Sequence, residues 1–466
     1  MTDELNPVLD HLRNDSAGAL DRLFDFLRIP SVSADPAYKA GVARAADWVC
    51  DQLRSAGLNA AVRPTAGHPM VVAKHEGPPG YDGPRLLYYG HYDVQPADPI
   101  DLWKSGAFEP VLIDGPRGKR IVARGACDDK GQVMSFIEAF RAWIKVHGTL
   151  PCAVTILLEG EEESGSESLE PFLEANKIDL KADACVVSDT GMWDIETPAI
   201  TTNLRGLVYV EITIHGPNKD LHSGLYGGAV PNPINVLTSI LSSLHDEKRR
   251  ITLPGFYDDV KEVPTRIQEQ RANLGFDDAE FLGSVGLTNS YGEADRSTVE
   301  RTWSRPTCDI NGIYGGYMGK GAKTVIASHA TAKVSFRLVA DQDPHKILKT
   351  LRAFVTAKLP KDCRAEITEF GVNRAFQVPD GSAFLAAAER ALGRVYGRNA
   401  VLIGSGGSIP AVGAIQRILG APALLMGFGL DDDCVHSPNE KFEVGCFDGA
   451  KKSHAALLAE VGRMRL

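Results

Sequence analysis

The stretch Arg85-Leu-Leu-Tyr-Tyr-Gly-His-Tyr-Asp-Val94 decides the fold, because an apolar run without helical period ends there at Gly-His-x-Asp. Residues 86–89 are predicted to form a short buried strand, and Gly90 lets the backbone turn at its carboxyl end. Residues two apart on a strand point to the same side, so His91 and Asp93 can meet. A metal-ligating histidine usually has its second ring nitrogen held by such a carboxylate. An isolated His-x-Asp pair more often lies in an exposed loop, so the metal-site interpretation depends on the rest of the chain.

Other predicted strands also end in acidic residues. Residues 154–158 lead into Glu159-Gly-Glu-Glu-Glu-Ser-Gly165, and residues 184–187 lead into Ser188-Asp-Thr190. Arg124-Gly-Ala-Cys-Asp-Asp-Lys-Gly131 stands directly before a helical apolar stripe. Strands that alternate with helices are typical of a doubly wound α/β sheet, in which ligands bind at the carboxyl ends of the strands. The sequence therefore predicts a polar cluster at one edge of such a sheet.

Length and a change of pattern predict two domains. At 466 residues the chain exceeds what one hydrophobic core usually supports. After Arg205 the predicted elements are strand, helix, strand, strand, helix and strand, at residues 208–215, 231–245, 324–327, 332–339, 344–359 and 364–370. This is the order of a ferredoxin-like unit, with residues 250–310 as an irregular insertion. We therefore expect an α/β protein with a doubly wound catalytic domain at 1–205 and 383–466, and an inserted α+β ferredoxin-like domain at 206–382.

Composition and charge exclude several classes of partner. The chain carries 50 basic and 60 acidic residues, a net charge of −10, and no basic run. Neither nucleic acid nor an anionic membrane surface is therefore an expected partner. No secretory signal is visible, and no apolar stretch approaches the length of a membrane span. Eight cysteines without a C-x-x-C pair predict reduced thiols in a cytoplasmic protein.

The polar residues at the predicted loop ends have the chemistry of a metal site. They are His91, Asp93, Asp128, Glu162, Glu163, Asp189 and His436. Nitrogen and oxygen ligands without thiolates suit zinc, manganese or cobalt at an open catalytic site. Two such ions need a bridging carboxylate, and Asp128, which leads into a helix N-terminus, is the best placed. An isolated acidic triplet such as Glu161-Glu-Glu163 is more often a solvated loop, but here one carboxylate can bind metal while a neighbour acts as general base.

Together these blocks resemble the co-catalytic dinuclear metallopeptidase family of carnosinases, cytosolic nonspecific dipeptidases and aminoacylases. The matching stretches are Gly-His-Tyr-Asp-Val-Gln-Pro (90–96), Arg-Gly-Ala-Cys-Asp-Asp-Lys-Gly (124–131), Glu-Gly-Glu-Glu-Glu-Ser-Gly-Ser (159–166), Ser-Asp-Thr (188–190), Asp-Leu-His-Ser-Gly-Leu-Tyr-Gly-Gly (220–228), Gly-Gly-Ser-Ile-Pro (406–410) and His-Ser-Pro-Asn-Glu-Lys (436–441). They span nearly the whole chain, and the inserted domain also matches the architecture of the family.

The resemblance implies a role for each residue of the predicted metal site. The implied ligands are His91, Asp128 and Asp189 for one ion and Asp128, Glu163 and His436 for the other. Zinc is the expected metal, with manganese or cobalt as alternatives. Asp93 would orient His91, and Glu162 would be the general base that takes a proton from the metal-bridging water and passes it to the leaving amine. The peptide bond between Asp128 and Asp129 is expected to be cis.

The resemblance also implies that the inserted domain is a lid that forms a homodimer. His222 is similar to the family's histidine that stabilises the oxyanion in the active site of the neighbouring subunit. Arg337, Gly407 and Ser408 would hold the C-terminal carboxylate of the substrate, because a guanidinium and clustered N–H donors suit that anion. Asn311 is expected to line the same pocket.

The function that follows is hydrolysis of dipeptides, at the amide bond adjacent to a free C-terminal carboxylate. Gly-Gly-Ser-Ile-Pro at 406–410 and the block around His222 favour the carnosinase branch over the aminoacylases. An N-acyl-amino-acid deacylase with the same dinuclear site is the alternative. A non-catalytic dimeric binding module is disfavoured, because all the expected ligand positions and the position of the base are occupied.

Overall fold

The protein, a computed structural model, is described over residues 4–379, 381–407 and 409–465. It divides into two compact units. The first unit comprises residues up to Thr202, Val378–Ile403 and the chain from Pro410 onward, and the second comprises Asn203–Gln377 and Gly404–Ile409. The first is an α/β unit and the second an α+β unit, which confirms the predicted fold class. The predicted boundaries and the roles of the two domains stay predictions.

Strands and helices alternate along most of the described chain. The strands are β1 (Asn59–Arg63), β2 (Met70–His75), β3 (Arg85–His91), β4 (Val111–Gly115), β5 (Gly118–Val122), β6 (Ala153–Glu159), β7 (Ala184–Val187), β8 (Ala199–Leu204), β9 (Gly206–His215), β10 (Leu221–His222), β11 (Thr307–Gly315), β12 (Val325–Ile326), β13 (His329–Leu338), β14 (Arg364–Asn373), β15 (Phe376–Gln377), β16 (Val401–Ser405), β17 (Ala423–Leu425) and β18 (Lys441–Glu443). The α-helices are α1 (Leu5–Asn14), α2 (Ser16–Leu27), α3 (Lys39–Ser55), α4 (Lys130–His147), α5 (Leu169–Ala175), α6 (Ser223–Tyr226), α7 (Pro233–Ser242), α8 (Thr265–Ala272), α9 (Asp278–Gly283), α10 (Thr298–Trp303), α11 (Pro344–Ala357), α12 (Ala383–Tyr396), α13 (Pro410–Leu419) and α14 (Val444–Gly462).

The sheet of the first unit runs in the order β1-β2-β6-β3-β7-β17-β8. Its centre is parallel: β3 pairs with β6 and β7, and β7 pairs with β17. Side chains alternate between the two faces of a strand, yet every residue of β6 and β7 is buried. Both faces of the central sheet are therefore covered, as a doubly wound fold requires.

A buried lysine fixes the start of α4, which follows the Asp128-Asp129 pair. Lys130 is fully buried, and its Nζ donates hydrogen bonds to the carbonyl oxygens of Phe26 (3.1 Å) and Ile29 (2.6 Å). These carbonyls lie at the C-terminal end of α2, where the helix dipole favours a cation. Lys130 thus ties the N-terminus of α4 to α2.

The second unit has an antiparallel sheet in the order β11-β13-β9-β14. Alternate residues of β9 are buried against α7 and α11, which supply the helical half of the core. In chain order the elements are β9, α7, β11, β13, α11 and β14, so the unit is ferredoxin-like.

One strand of this sheet differs from the prediction. Residues 324–327 supply only the short β12, which pairs with β10. The second strand of the sheet in chain order is β11, which begins inside the region 250–310 predicted as irregular and ends beyond it. β11 lies at the edge of the sheet and most of its side chains are exposed. Its register with β13 also shifts between Ile310 and Gly312, which indicates a bulge at Asn311. An exposed, bulged edge strand lacks the hydrophobic alternation that identifies strands in a sequence.

Candidate metal centre

Two groups of potential metal ligands lie in the first unit and share Asp128. The first group is His91, Asp128 and Asp189, and the second is Asp128, Glu163 and His436. In each group, one ligand atom from every residue lies within 4.8 Å of the others. The structure therefore brings together the residues that the family resemblance implies as ligands of two metal ions.

The fold explains why these residues meet. His91 ends β3, and its cross-strand neighbour is Glu159, the last residue of β6. Asp189 follows β7, the other parallel neighbour of β3, and the carboxyl ends of parallel neighbours lie at the same edge of a sheet. Asp128 immediately precedes the N-cap residue of α4, across a cis peptide bond as expected. His436 comes from the loop before β18, with a φ of 62° that is uncommon for a residue other than glycine.

The geometry of the two histidines fits a pair of cations. His91 Nε2 is buried and makes no hydrogen bond to any residue that the structure describes, although it lies 3.0 Å from Asp128 Oδ1 and 3.9 Å from Asp189 Oδ2. His436 Nε2 lies 3.0 Å from Asp128 Oδ2 and 3.4 Å from Glu163 Oε2. The two oxygens of Asp128 thus face different histidines, which is the arrangement that a bridging carboxylate needs. Nitrogen and oxygen donors of this kind suit zinc and similar divalent ions.

The carboxylates of the site perturb one another. Burial, followed by the negative charge of Asp128, raises the pKa of Asp189 to about 7 and the pKa of Glu163 to about 8. Burial likewise raises the pKa of Glu162. For Asp128, burial acts in the same direction, but the contacts with His436 and His91 outweigh it and lower its pKa. Crowded acids of this kind are stabilised as anions when cations neutralise them.

Asp93 contacts one residue of each ligand group, His91 of the first and Glu163 of the second. Its Oδ1 lies 3.4 Å from His91 Nδ1, while that ring nitrogen is 3.1 Å from the main-chain oxygen of Asp93. The other oxygen, Oδ2, accepts hydrogen bonds from Ser33 Oγ (2.6 Å) and from the backbone N–H of Glu163 (3.0 Å). Gln95 Nε2 donates to Glu163 Oε2 at 2.7 Å. Asp93 therefore contacts His91, as expected, and also holds the turn that carries Glu163.

The three carboxylates of the acidic triplet have different surroundings. Glu161 is buried, and its carboxylate accepts hydrogen bonds from the backbone N–H groups of His68 and Ser168. Glu161 therefore stabilises the loop that carries it and ties this loop to the segment of His68. Glu163, by contrast, belongs to the second ligand group, with its Oε2 3.4 Å from His436 Nε2. For Glu162, the charges of His91 and Asp128 act on its pKa in addition to burial.

Glu440 is a residue of the site to which the sequence analysis assigned no role. It is fully buried, and its Oε1 accepts hydrogen bonds from the backbone N–H groups of Cys127 (2.9 Å) and Asp128 (3.1 Å). Its Oε2 accepts from the N–H of Gly125 (3.0 Å) and from Arg124 Nη1 (2.8 Å). One carboxylate thus fixes the loop that presents Asp128. The signal in the sequence was its place in the block that also supplies His436.

We expect the substitution Glu440→Gln to lower metal affinity about 10- to 100-fold, as is typical when an outer-shell partner is lost. Glutamine keeps one acceptor oxygen, so its amide NH2 would face buried N–H donors of the Asp128 loop. Competition with a chromophoric chelator measures the affinity. Glu138→Gln is the matched control, because Glu138 is a buried carboxylate on α4 that pairs with Arg22. Equal affinities in the Glu440 variant and the control would contradict this role.

The predicted oxyanion residue, His222, and those predicted substrate-binding residues that the structure describes belong to the second unit. His222 is exposed, and its Nδ1 accepts a hydrogen bond from the N–H of Gly224 at 2.9 Å. Asn311 is exposed at the bulge of β11, and Arg337 is half-buried on β13. Gly407 lies in the segment Gly404–Ile409, whereas Ser408 lies outside the described residues.

Within the described parts of the chain, no helix is both long enough and apolar enough to cross a membrane.

Comparison with known proteins identifies the family. The profile of peptidase family M20/M25/M40 matches residues 87–460. The Cys-Gly metallodipeptidase DUG1 of Candida albicans is 31% identical over 98% of this chain and 98% of its own length. The Beta-Ala-His dipeptidase of Homo sapiens is 30% identical over 81% of this chain and 75% of its own length.

A solved structure supports the same family assignment. The M20 family metallo-carboxypeptidase Sso-CP2 from Sulfolobus solfataricus superposes with a TM-score of 0.83 at 32% identity, covering 96% of this chain and 99% of that one. The family resemblance and the predicted enzyme class, a metallopeptidase, are thereby confirmed. The chain belongs to peptidase family M20/M25/M40.

Proposed function

We propose that the chain is a dipeptidase that uses two divalent cations, with zinc as the expected metal and manganese or cobalt as alternatives. The observation that carries the proposal is Asp128, whose two oxygens face different histidines in two ligand groups. The dipeptidases among the relatives support the substrate class. The reaction is hydrolysis of the amide bond adjacent to a free C-terminal carboxylate.

In the proposed reaction, different residues of the site move the proton and hold the metal ligands in place. When bound, the cations supply Lewis acidity at the scissile carbonyl and acidify a water molecule. Glu162 would accept a proton from the attacking water as the water oxygen bonds to the scissile carbonyl carbon, and would return that proton to the amine nitrogen when the C–N bond breaks. Asp93 holds His91 and the turn of Glu163 in place, and Glu440 holds the loop of Asp128.

We propose that the second unit recognises the substrate and forms a homodimer. His222 would stabilise the oxyanion in the neighbouring subunit, and Arg337, Gly407 and Ser408 would hold the substrate carboxylate beside Asn311. The edge strand β11 supports pairing with a second copy, because Ile310, Ile313 and Tyr314 are exposed along it.

We also propose a cytoplasmic location. All eight cysteines, each within the described ranges, carry free thiols, which agrees with a reducing compartment.

Metal analysis coupled to a substrate panel tests this function. We expect about two bound ions per chain, loss of activity on chelation, and recovery on adding zinc, manganese or cobalt. In the panel, free dipeptides are compared with N-acetyl and N-carbamoyl amino acids, and dipeptides are expected to react faster. Faster turnover of the acylated compounds would favour the deacylase. Metal binding without turnover of any compound would favour the binding module.

A further inference from the structure

One arginine of the second unit holds the turn that carries Gly407. Arg205 Nε donates a hydrogen bond to the carbonyl oxygen of Gly406 at 3.2 Å, and the backbone N–H of Arg205 donates to the carbonyl oxygen of Gly407 at 3.1 Å. A Cβ atom added to Gly406 would stand 2.8 Å from Arg205 Nη2. The turn thus packs directly on the guanidinium group. Hydrogen bonds from Arg205 to two successive carbonyl oxygens fix the orientation of the turn.

The same guanidinium reaches the start of β11. Arg205 Nη1 lies at hydrogen-bonding distance from the carbonyl oxygen of Arg301 (3.4 Å) and from Thr307 Oγ1 (3.5 Å). Thr307 is the cross-strand partner of Arg337, and so is Leu207, which follows Arg205 by two residues. Arg205 therefore lies between the glycine turn and the strand that carries Arg337.

The electrostatics of this region favour an anion. Burial, followed by the positive charge of Arg337, lowers the pKa of Arg205 to about 10, while Asp309 acts in the opposite direction. The positive charge of Arg337 acts on Arg205, and two guanidinium groups that are both charged repel each other. A bound carboxylate would relieve that repulsion, and guanidinium groups are suited to bind it.

We propose that Arg205 is a positioning residue for recognition of the substrate's C-terminal carboxylate. It sets the Gly406–Gly407 turn against the strand of Arg337 and adds a second positive charge beside the carboxylate. The inference rests on the proposed dipeptidase function and adds a residue to which no motif assigned a role. It also explains why the segment Gly404–Ile409 is part of the second unit, although the chain on both sides of it belongs to the first.

The test compares a dipeptide with the same dipeptide carrying a C-terminal carboxamide. In Arg205→Gln we expect the KM for the dipeptide to rise about 10- to 100-fold, the usual effect of losing a hydrogen-bonding charged group. We expect kcat to change much less and the carboxamide to be hardly affected, so that the preference for the free carboxylate falls by the same factor. Arg205→Lys, which keeps the charge but not the planar fork, should recover part of the preference.

Arg271→Gln is the matched control. Arg271 is a buried arginine of the same unit that contacts Ser304 and Asn203. Its loss should lower thermal stability and leave the dipeptide-to-carboxamide preference unchanged. If Arg205→Gln does not fold, the dipeptide-to-carboxamide preference of Arg205→Lys is compared with that of the wild type. A lower preference in Arg205→Lys supports the role of Arg205.

The outcomes separate the two proposals. A wild-type enzyme that hydrolyses no dipeptide would defeat the proposed function before any variant is compared. A wild-type dipeptidase whose preference is unchanged in both Arg205 variants, or whose two substrates are slowed equally, would defeat only the role of Arg205.

Discussion

Replacing Glu162 with glutamine is expected to lower kcat roughly 100- to 10,000-fold, the usual contribution of a general acid–base group. Glutamine has nearly the same shape but cannot accept a proton from water. Glu162 belongs to neither ligand group, so the variant should keep its full metal content. The combination of a lost rate and retained metal is the specific expectation for a base rather than a ligand.

The neighbouring glutamate provides the control for this experiment. Glu161→Gln alters the same acidic triplet, but the Glu161 carboxylate accepts backbone hydrogen bonds from His68 and Ser168. It should lower the melting temperature and leave kcat of the folded enzyme near the wild-type value. Unaltered hydrolysis by Glu162→Gln would discredit the base assignment, and loss of a metal ion would make Glu162 a ligand instead.

Much of the candidate site could be predicted because most of its loops follow a local pattern, whereas the role of His436 came from the family resemblance alone. An apolar run without helical period ends at His91, and similar runs precede Glu163 and Asp189. Parallel pairing of β3 with β6 and β7 then brings these ends together. The order of strands and helices was sufficient to predict the doubly wound sheet, and it predicted the ferredoxin-like insertion with one of its four strands misplaced.

The rest depends on contacts that no local pattern contains. Glu440 bonds to the loop of Asp128 across 312 residues, and Arg205 bonds to Gly406 across 201 residues. A single sequence gives no information on such pairs. β11 was missed for another reason, since an exposed edge strand has no core face to reveal its period.

Replacing His222 with alanine is expected to lower kcat about 100- to 1000-fold, the usual effect of removing one oxyanion donor. His222 Nδ1 accepts a hydrogen bond from the N–H of Gly224. In the neutral ring the proton is therefore on Nε2, which makes that atom the donor. Metal content should not change, because His222 belongs to neither ligand group.

Mixed dimers test whether His222 acts in the neighbouring subunit. A His222→Ala subunit keeps Glu162, and a Glu162→Gln subunit keeps His222, so a mixed dimer contains one complete site only if the histidine crosses between subunits. Random exchange should then restore about one quarter of wild-type activity, because about half of the dimers are mixed and each has one working site. Each inactive variant taken alone through the same exchange is the control. If mixed dimers isolated by two different affinity tags remain inactive, His222 does not serve the partner's site.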